Sequence, residues 1–171
     1  MVFKWLRENL YASFGLLVLR LYLGYDWLTA GWGKITGEKP FSAAGYINRA
    51  IENPVTSHDA VVYPTYTAFL KGFALPNVGL FSFLVEYGEF LVGLGLILGC
   101  LTQAAMFFGV FMNFMFMFAG TVSSNPWMAL LGFIVLVGGA NSGRIGLDRW
   151  VLPYIRQYYN KTFKKNNPVS A

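Results

Sequence analysis

Val78–Gly99 reads VGLFSFLVEYGEFLVGLGLILG, and four residues later Ala104–Val122 reads AAMFFGVFMNFMFMFAGTV. A helix rises about 1.5 Å per residue, so about 20 apolar residues cross the roughly 30 Å hydrocarbon core of a bilayer. Strict apolar–polar alternation is absent, and lipid-facing backbone must satisfy its own hydrogen bonds. Both stretches are therefore predicted as membrane-spanning helices, and the short link Cys100–Gln103 forces them into an antiparallel hairpin. Upstream, Tyr11–Trp32, YASFGLLVLRLYLGYDWLTAGW, is a third such run. Downstream, a run from Pro126 to Ala140 reaches span length by tilting or by extending toward Arg144. The expected fold is all-α: a polytopic four-helix membrane bundle with spans at about 11–32, 78–99, 104–122 and 126–142.

Composition agrees with that reading. Of the 171 residues only 12% are charged, about half the share of a soluble domain. The net charge of +5 raises nucleic acid as a partner. The basic residues gather at the chain ends rather than along one groove-sized element, which argues against it. Lys4 and Arg7 precede the first apolar run as in a signal peptide, but that run is too long for one and lacks a small-x-small cleavage site before Trp27. It is expected to remain as a span. A single cysteine, Cys100, and a single histidine, His58, exclude an internal disulfide, an iron–sulfur site, bis-histidine haem and a His-rich metal cluster within the chain. No metal site and no covalently bound cofactor are expected.

Four spans put both termini on one side. Lys4, Arg7, Arg144, Arg149, Arg156, Lys161, Lys164 and Lys165 lie near the ends, while the long connection 33–77 mixes Lys34, Lys39, Arg49 and Lys71 with Glu38, Glu52 and Asp59. The positive-inside rule places the termini in the cytoplasm and the connection outside, with residues 1–160 as one domain and 161–171 as a basic cytoplasmic tail. Within the connection, Ala60–Leu75 is apolar and aromatic and reads as a short interfacial helix. Trp150, Tyr154, Tyr158 and Tyr159 beside Arg149 and Arg156 read as an anchor to anionic lipid.

The charges inside the spans call for a role, because an ionised side chain at mid-bilayer costs from about 3 to well above 10 kcal/mol. Arg20, Gly24, Trp27, Gly31 and Lys34 recur at helical spacing on the first span. Glu86, Glu89 and Gly93 do so on the second, and Gly109, Asn113, Met117 and Gly120 on the third. Counting from the cytoplasmic ends, Arg20 falls about 12 Å deep, Glu89 about 15 Å and Asn113 about 13 Å. One layer of cation, anion and amide is the expectation, with Asp26 and Glu86 in a second layer about 20 Å deep and Lys34 at the outer mouth. The bland reading is a buried Arg20–Glu89 pair that fixes helix register. The chemical reading is that the layer binds a polar head group such as a quinone carbonyl or an anion. In it Arg20 and Lys34 attract the ligand, Glu89 exchanges a proton and Asn113 orients the group. Asp26 and Glu86, if close, would repel, so that one keeps its proton and serves as a relay. The Phe- and Met-rich stretch 106–118 could grip a quinone ring, but packing and lipid contact are the commoner uses of such residues.

Leu19-Arg20-Leu21, then Trp27-Leu28-x-Ala30-Gly31-x-x-Lys34, then Gly88-Glu89-Phe90-Leu91-Val92-Gly93 through Gly99 follow in order. Ala119-Gly120, Ser123-Ser124-Asn125-Pro126 and Gly146-Leu147-Asp148-Arg149-Trp150 complete the series. In this order and spacing the chain resembles the DoxX/DoxD family of small four-helix bacterial membrane proteins. The resemblance implies a bacterial cell-membrane location and a shared polar set of Arg20, Lys34, Glu89 and Asn113. Some relatives look like the membrane subunit of a thiosulfate:quinone oxidoreductase, which oxidises thiosulfate to tetrathionate and reduces quinone. The second subunit of such an enzyme is a separate polypeptide. The expected function is therefore quinone-linked redox chemistry with quinone as co-substrate. Catalytic Arg20, Glu89 and Asn113 and substrate-binding Lys34, Trp27, Glu86 and Asp26 are the expected site, beside a second redox subunit or another copy of the chain. The alternatives are a non-catalytic scaffold that docks a redox or thiol-stress partner, and, more weakly, a small-solute or proton transporter, for which no inverted repeat shows.

Overall fold

The computed structural model describes residues 2–164. The basic tail expected at 161–171 lies outside the described residues beyond Lys164. Four long helices carry the fold: α2 (Leu10–Ile35), α5 (Val78–Leu98), α6 (Thr102–Phe118) and α7 (Asn125–Gly138), the last prolonged by a tighter turn, Gly139–Gly143. Each covers one of the apolar runs read from the sequence, with α2 longer at its end and α6 ending at Phe118 rather than Val122. By length and hydropathy Val78–Leu98 and Asn125–Gly143 suffice to cross a membrane, and Thr102–Phe118 is a shorter apolar helix. Leu91, Phe107, Phe108, Phe111, Leu130 and Phe133 stand exposed on the outer surfaces of these helices. An apolar belt of that kind is unusual on a protein surrounded by water.

The core is a column of Leu23, Trp27, Val92, Leu96, Met106, Val110, Met128 and Val135, drawn from all four helices. Helices α2 and α5 run antiparallel and approach closely. A Cβ at Gly31 would collide with the backbone of Phe90, and one at Gly93 with the backbone of Leu28. Small residues allow such contact in membranes, where dispersion rather than water exclusion holds helices together.

At one end α1 (Val2–Glu8) and α8 (Asp148–Tyr159) flank the α5–α6 turn. Asn141 Nδ2 donates to the carbonyls of Leu6 and Asn9, 2.9 Å each, fastening α1 to the end of α7. The opposite end is closed by the connection. There α3 (Ala44–Glu52), a two-residue hairpin of β1 (Thr56–Ser57) and β2 (Ala60–Val61), and α4 (Pro64–Phe69) continued by a wider turn Leu70–Ala74 build a second small core. Ala43, Ile47, Ala50, Leu70 and Ala74 fill it. The expected interfacial helix at 60–75 is thus shortened at its start by the hairpin, because His58 and Asp59 adopt the left-handed backbone of a tight turn. Helix α3 was not anticipated. Its apolar positions Ile47 and Ala50 are too few to signal a helix without the facing surface they cover.

A polar ladder between α2, α5 and α6

Glu89 is buried on α5, and its Oε2 accepts from Lys34 Nζ at 2.5 Å. The ammonium group is further placed by the Ala30 carbonyl at 3.4 Å and the face of Phe41 at 5.6 Å. Lys34 keeps 22% of its side chain exposed against 5% for Glu89, so the pair joins the interior to the outer surface.

Below this pair lie polar groups without partners. Among the described residues, Trp27 Nε1 and both amide atoms of Asn113 are buried and make no hydrogen bond, as do Arg20 Nε and Thr102 Oγ1. The first three are neighbours. Trp27 Nε1 is 3.2 Å from where a Gly109 Cβ would stand, and Asn113 is one turn along α6 from Gly109. Gly88 faces Met112 and Val92 faces Gly109, which sets Glu89 level with the Met112–Asn113 turn. Trp27, Asn113, Glu89 and Lys34 therefore climb as a ladder from the core toward the end closed by α3. An orphaned buried polar group costs about 1–3 kcal/mol, so three such atoms on Trp27 and Asn113 are costly to the fold and call for a role other than packing. The ladder offers an N–H, an amide that both donates and accepts, a carboxylate and an ammonium group. Those are the groups that hold and protonate a carbonyl or quinone oxygen.

Arg20 is not in that layer. It is 1% exposed, yet its Nη1 donates to Ser142 O at 2.9 Å and its Nη2 to Ile145 O at 2.7 Å. The expected Arg20–Glu89 pair is corrected for two reasons. Gly24 packs on Leu96 and Ile97, so Arg20, one turn earlier, is level with the end of α5, about ten residues or 15 Å from Glu89. Side chains also lean toward the N-terminus of their own helix. In antiparallel helices Arg20 and Glu89 lean apart, whereas Lys34 and Glu89 lean together.

Around Arg20 the chain forms a knot. Gly99 (φ 63°) and Leu101 (φ 49°) make the left-handed turn between α5 and α6. That conformation costs a residue with a Cβ about 1–2 kcal/mol. Asp148 offsets it by accepting from Leu101 N at 2.6 Å and Thr102 N at 3.0 Å. Its own N–H donates to Gly99 O at 2.7 Å. A Cβ at Gly99 would meet Arg20 Nη1 in a backbone conformation that already favours glycine, and one at Gly146 would meet the Gly99 backbone. Sequence reasoning missed Asp148 and Ser142 as members of this knot. The one available signal was an aspartate starting a helix in an otherwise basic stretch.

Asp26 and Glu86, expected as a relay, are not brought together. Glu86 O is at the position opposite Gly31, five residues and about 7–8 Å along α2 from Asp26, and both side chains are partly exposed. Phe107, Phe108 and Phe111 of the expected aromatic wall point outward, while Met106 is core. A separate aromatic groove of about 430 Å³, lined by Tyr63, Tyr66, Phe69, Met115 and Phe118, lies against another side of α6 from Asn113.

The family model described as DoxX matches residues 15–122, which include Arg20, Trp27, Lys34, Glu89 and Asn113. No curated protein and no solved structure matches the chain. The match takes in more than half of the 171 residues and both carboxylate-bearing and amide-bearing helices. With apolar helices that present Leu and Phe outward, the chain belongs to the DoxX family and is a membrane protein.

Proposed function

We propose that this protein is a multi-pass component of a bacterial cell membrane that takes part in quinone-linked redox metabolism. In this reading α2, α5, α6 and α7 span the bilayer, and the end holding α1 and α8 is cytoplasmic. The surplus of Lys and Arg at that end supports the orientation. One observation carries the functional part. Three buried, unpartnered polar atoms on Trp27 and Asn113 lie at levels of the bundle close to that of the Lys34–Glu89 pair. A quinone oxygen entering the ladder accepts from Trp27 Nε1 and Asn113 Nδ2, and Glu89 passes a proton to it as electrons arrive. Lys34 holds the carboxylate between transfers and connects it to the outer water.

Electrons come from a separate polypeptide. Two thiosulfate ions joined through a new S–S bond yield tetrathionate and two electrons, and two protons complete the quinol. The protein in lipid, with its co-purifying partners, is expected to reduce a soluble quinone analogue in the presence of thiosulfate. Glu89→Gln and Asn113→Leu are expected to abolish that reduction while the protein still inserts. Full turnover by both variants would remove the ladder from the chemistry. No turnover by the wild-type assembly would favour the non-catalytic scaffold.

A further inference from the structure

At the opposite end of the molecule, far from the ladder, a cleft of about 330 Å³ opens between α1, the end of α7 and α8. Arg7, Arg144, Arg149 and Arg156 line it, with Asp148 and Pro153. Asp148 makes no ion pair with these arginines among the described residues, and both its oxygens accept backbone N–H groups of the α5–α6 turn, so its single charge leaves the cleft strongly positive. Arg7 spends its Nε on Val137 O at 2.9 Å, and Arg144 one Nη on Glu8 O at 3.3 Å. Arg149 lies over the Trp150 ring at 4.6 Å, and Arg156 makes no ion pair or side-chain hydrogen bond among the described residues. Four guanidinium groups thus converge with most of their donors unused. These guanidinium groups are exposed and partly screened by solvent; an anion between them would remove the remaining repulsion, and the planar fork of arginine matches phosphate oxygens.

Helix α8 indicates which anion. Arg149, Pro153 and Arg156 fall on one face at helical spacing, and Trp150, Tyr154 and Tyr158 on another. The aromatic face is exposed, as are Phe3 and Trp5 of α1. Aromatic rings beside guanidinium groups are the pattern of a helix lying at the headgroup level of a membrane. We propose that this arginine-lined cleft is a binding site for the phosphodiester head group of an anionic phospholipid. The acyl chains run along the exposed aromatic side of α8 and α1.

The test reads lipid retained on the purified protein by native mass spectrometry after incubation with equal amounts of phosphatidylglycerol and phosphatidylcholine. The wild type is expected to retain phosphatidylglycerol preferentially. Arg149→Gln with Arg156→Gln is expected to lower that preference about 30-fold, two arginines each contributing close to a factor of five. Arg149→Lys with Arg156→Lys keeps the charge but not the fork and restores part of it, which a folding defect would not allow. Arg49→Gln, on α3 at the other end, leaves it unchanged. An unchanged preference in the double Gln variant, or an equal loss in Arg49→Gln, overturns the site. Displacement of the lipid by millimolar inorganic phosphate overturns the lipid assignment in favour of a small-anion site.

Discussion

Asn113 is 0% exposed, and both ends of its amide lack partners. A side chain retained for stability alone would be better as leucine. Asn113→Leu is therefore expected to stabilise the protein in micelles by about 1–3 kcal/mol, read as a higher unfolding temperature, while weakening binding of a quinone analogue. A lower temperature would show that the amide has a structural partner. Arg20 behaves in the opposite way. Arg20→Met leaves the carbonyls of Ser142 and Ile145 without their charged donor. The expected loss is about 3 kcal/mol or more, since hydrogen bonds to charged groups contribute about 1.5–3 kcal/mol each. It should appear as poor accumulation or early unfolding, whereas Glu89→Gln accumulates normally. The sequence pointed to Arg20, Lys34, Glu89 and Asn113 as the polar residues that matter, since a charge within an apolar run has few uses. It paired Arg20 with Glu89, where the structure pairs Lys34 with Glu89. Pairing depends on the offset between α2 and α5 and on the direction in which each side chain leans, and neither is encoded in one helix alone.

At the scale of elements, the four apolar runs were legible because each is continuous and bounded by polar or turn-forming residues. The connection 33–77 was not. Its helices are short, its apolar residues are spread over several elements, and its core forms only when Ile47 and Ala50 meet Leu70 and Ala74. Tyr66 ties this cap to the bundle by donating to Met115 O at 3.0 Å. Burial raises the Tyr66 phenol above its ordinary value of 10.0. The unfolded chain therefore loses this proton first, and the contribution to stability is complete below pH 10 and falls as pH climbs toward the folded value. Tyr66→Phe is expected to lower stability by about 1 kcal/mol at neutral pH and to flatten the alkaline decline. Unfolding midpoints collected across that range would check it, and an identical alkaline slope in the variant would assign the decline to other groups.

Across the whole molecule, the two ends differ in kind. One is capped by a small apolar core under α3 and α4; the other is a basic, aromatic rim around α1 and α8. If the rim is cytoplasmic, then in a Cys100→Ala background Ser57→Cys reacts with a membrane-impermeant thiol reagent added to intact cells. Gln157→Cys reacts only after permeabilisation. Reversal of the two patterns would invert the topology. The knot around Arg20 has a consequence for how the protein is made. Arg20 and its acceptor Ser142 are 122 residues apart, so on the proposed reading, in which α2 spans the bilayer, α2 would enter the membrane long before the ribosome has supplied its counterpart. Until then the nascent chain would hold an unsatisfied guanidinium in lipid, at the cost of a charge at mid-bilayer. Synthesis past Ile145 would supply both carbonyl acceptors, so the arginine that burdens the early intermediate ties α2 to the chain beyond α7 in the completed bundle.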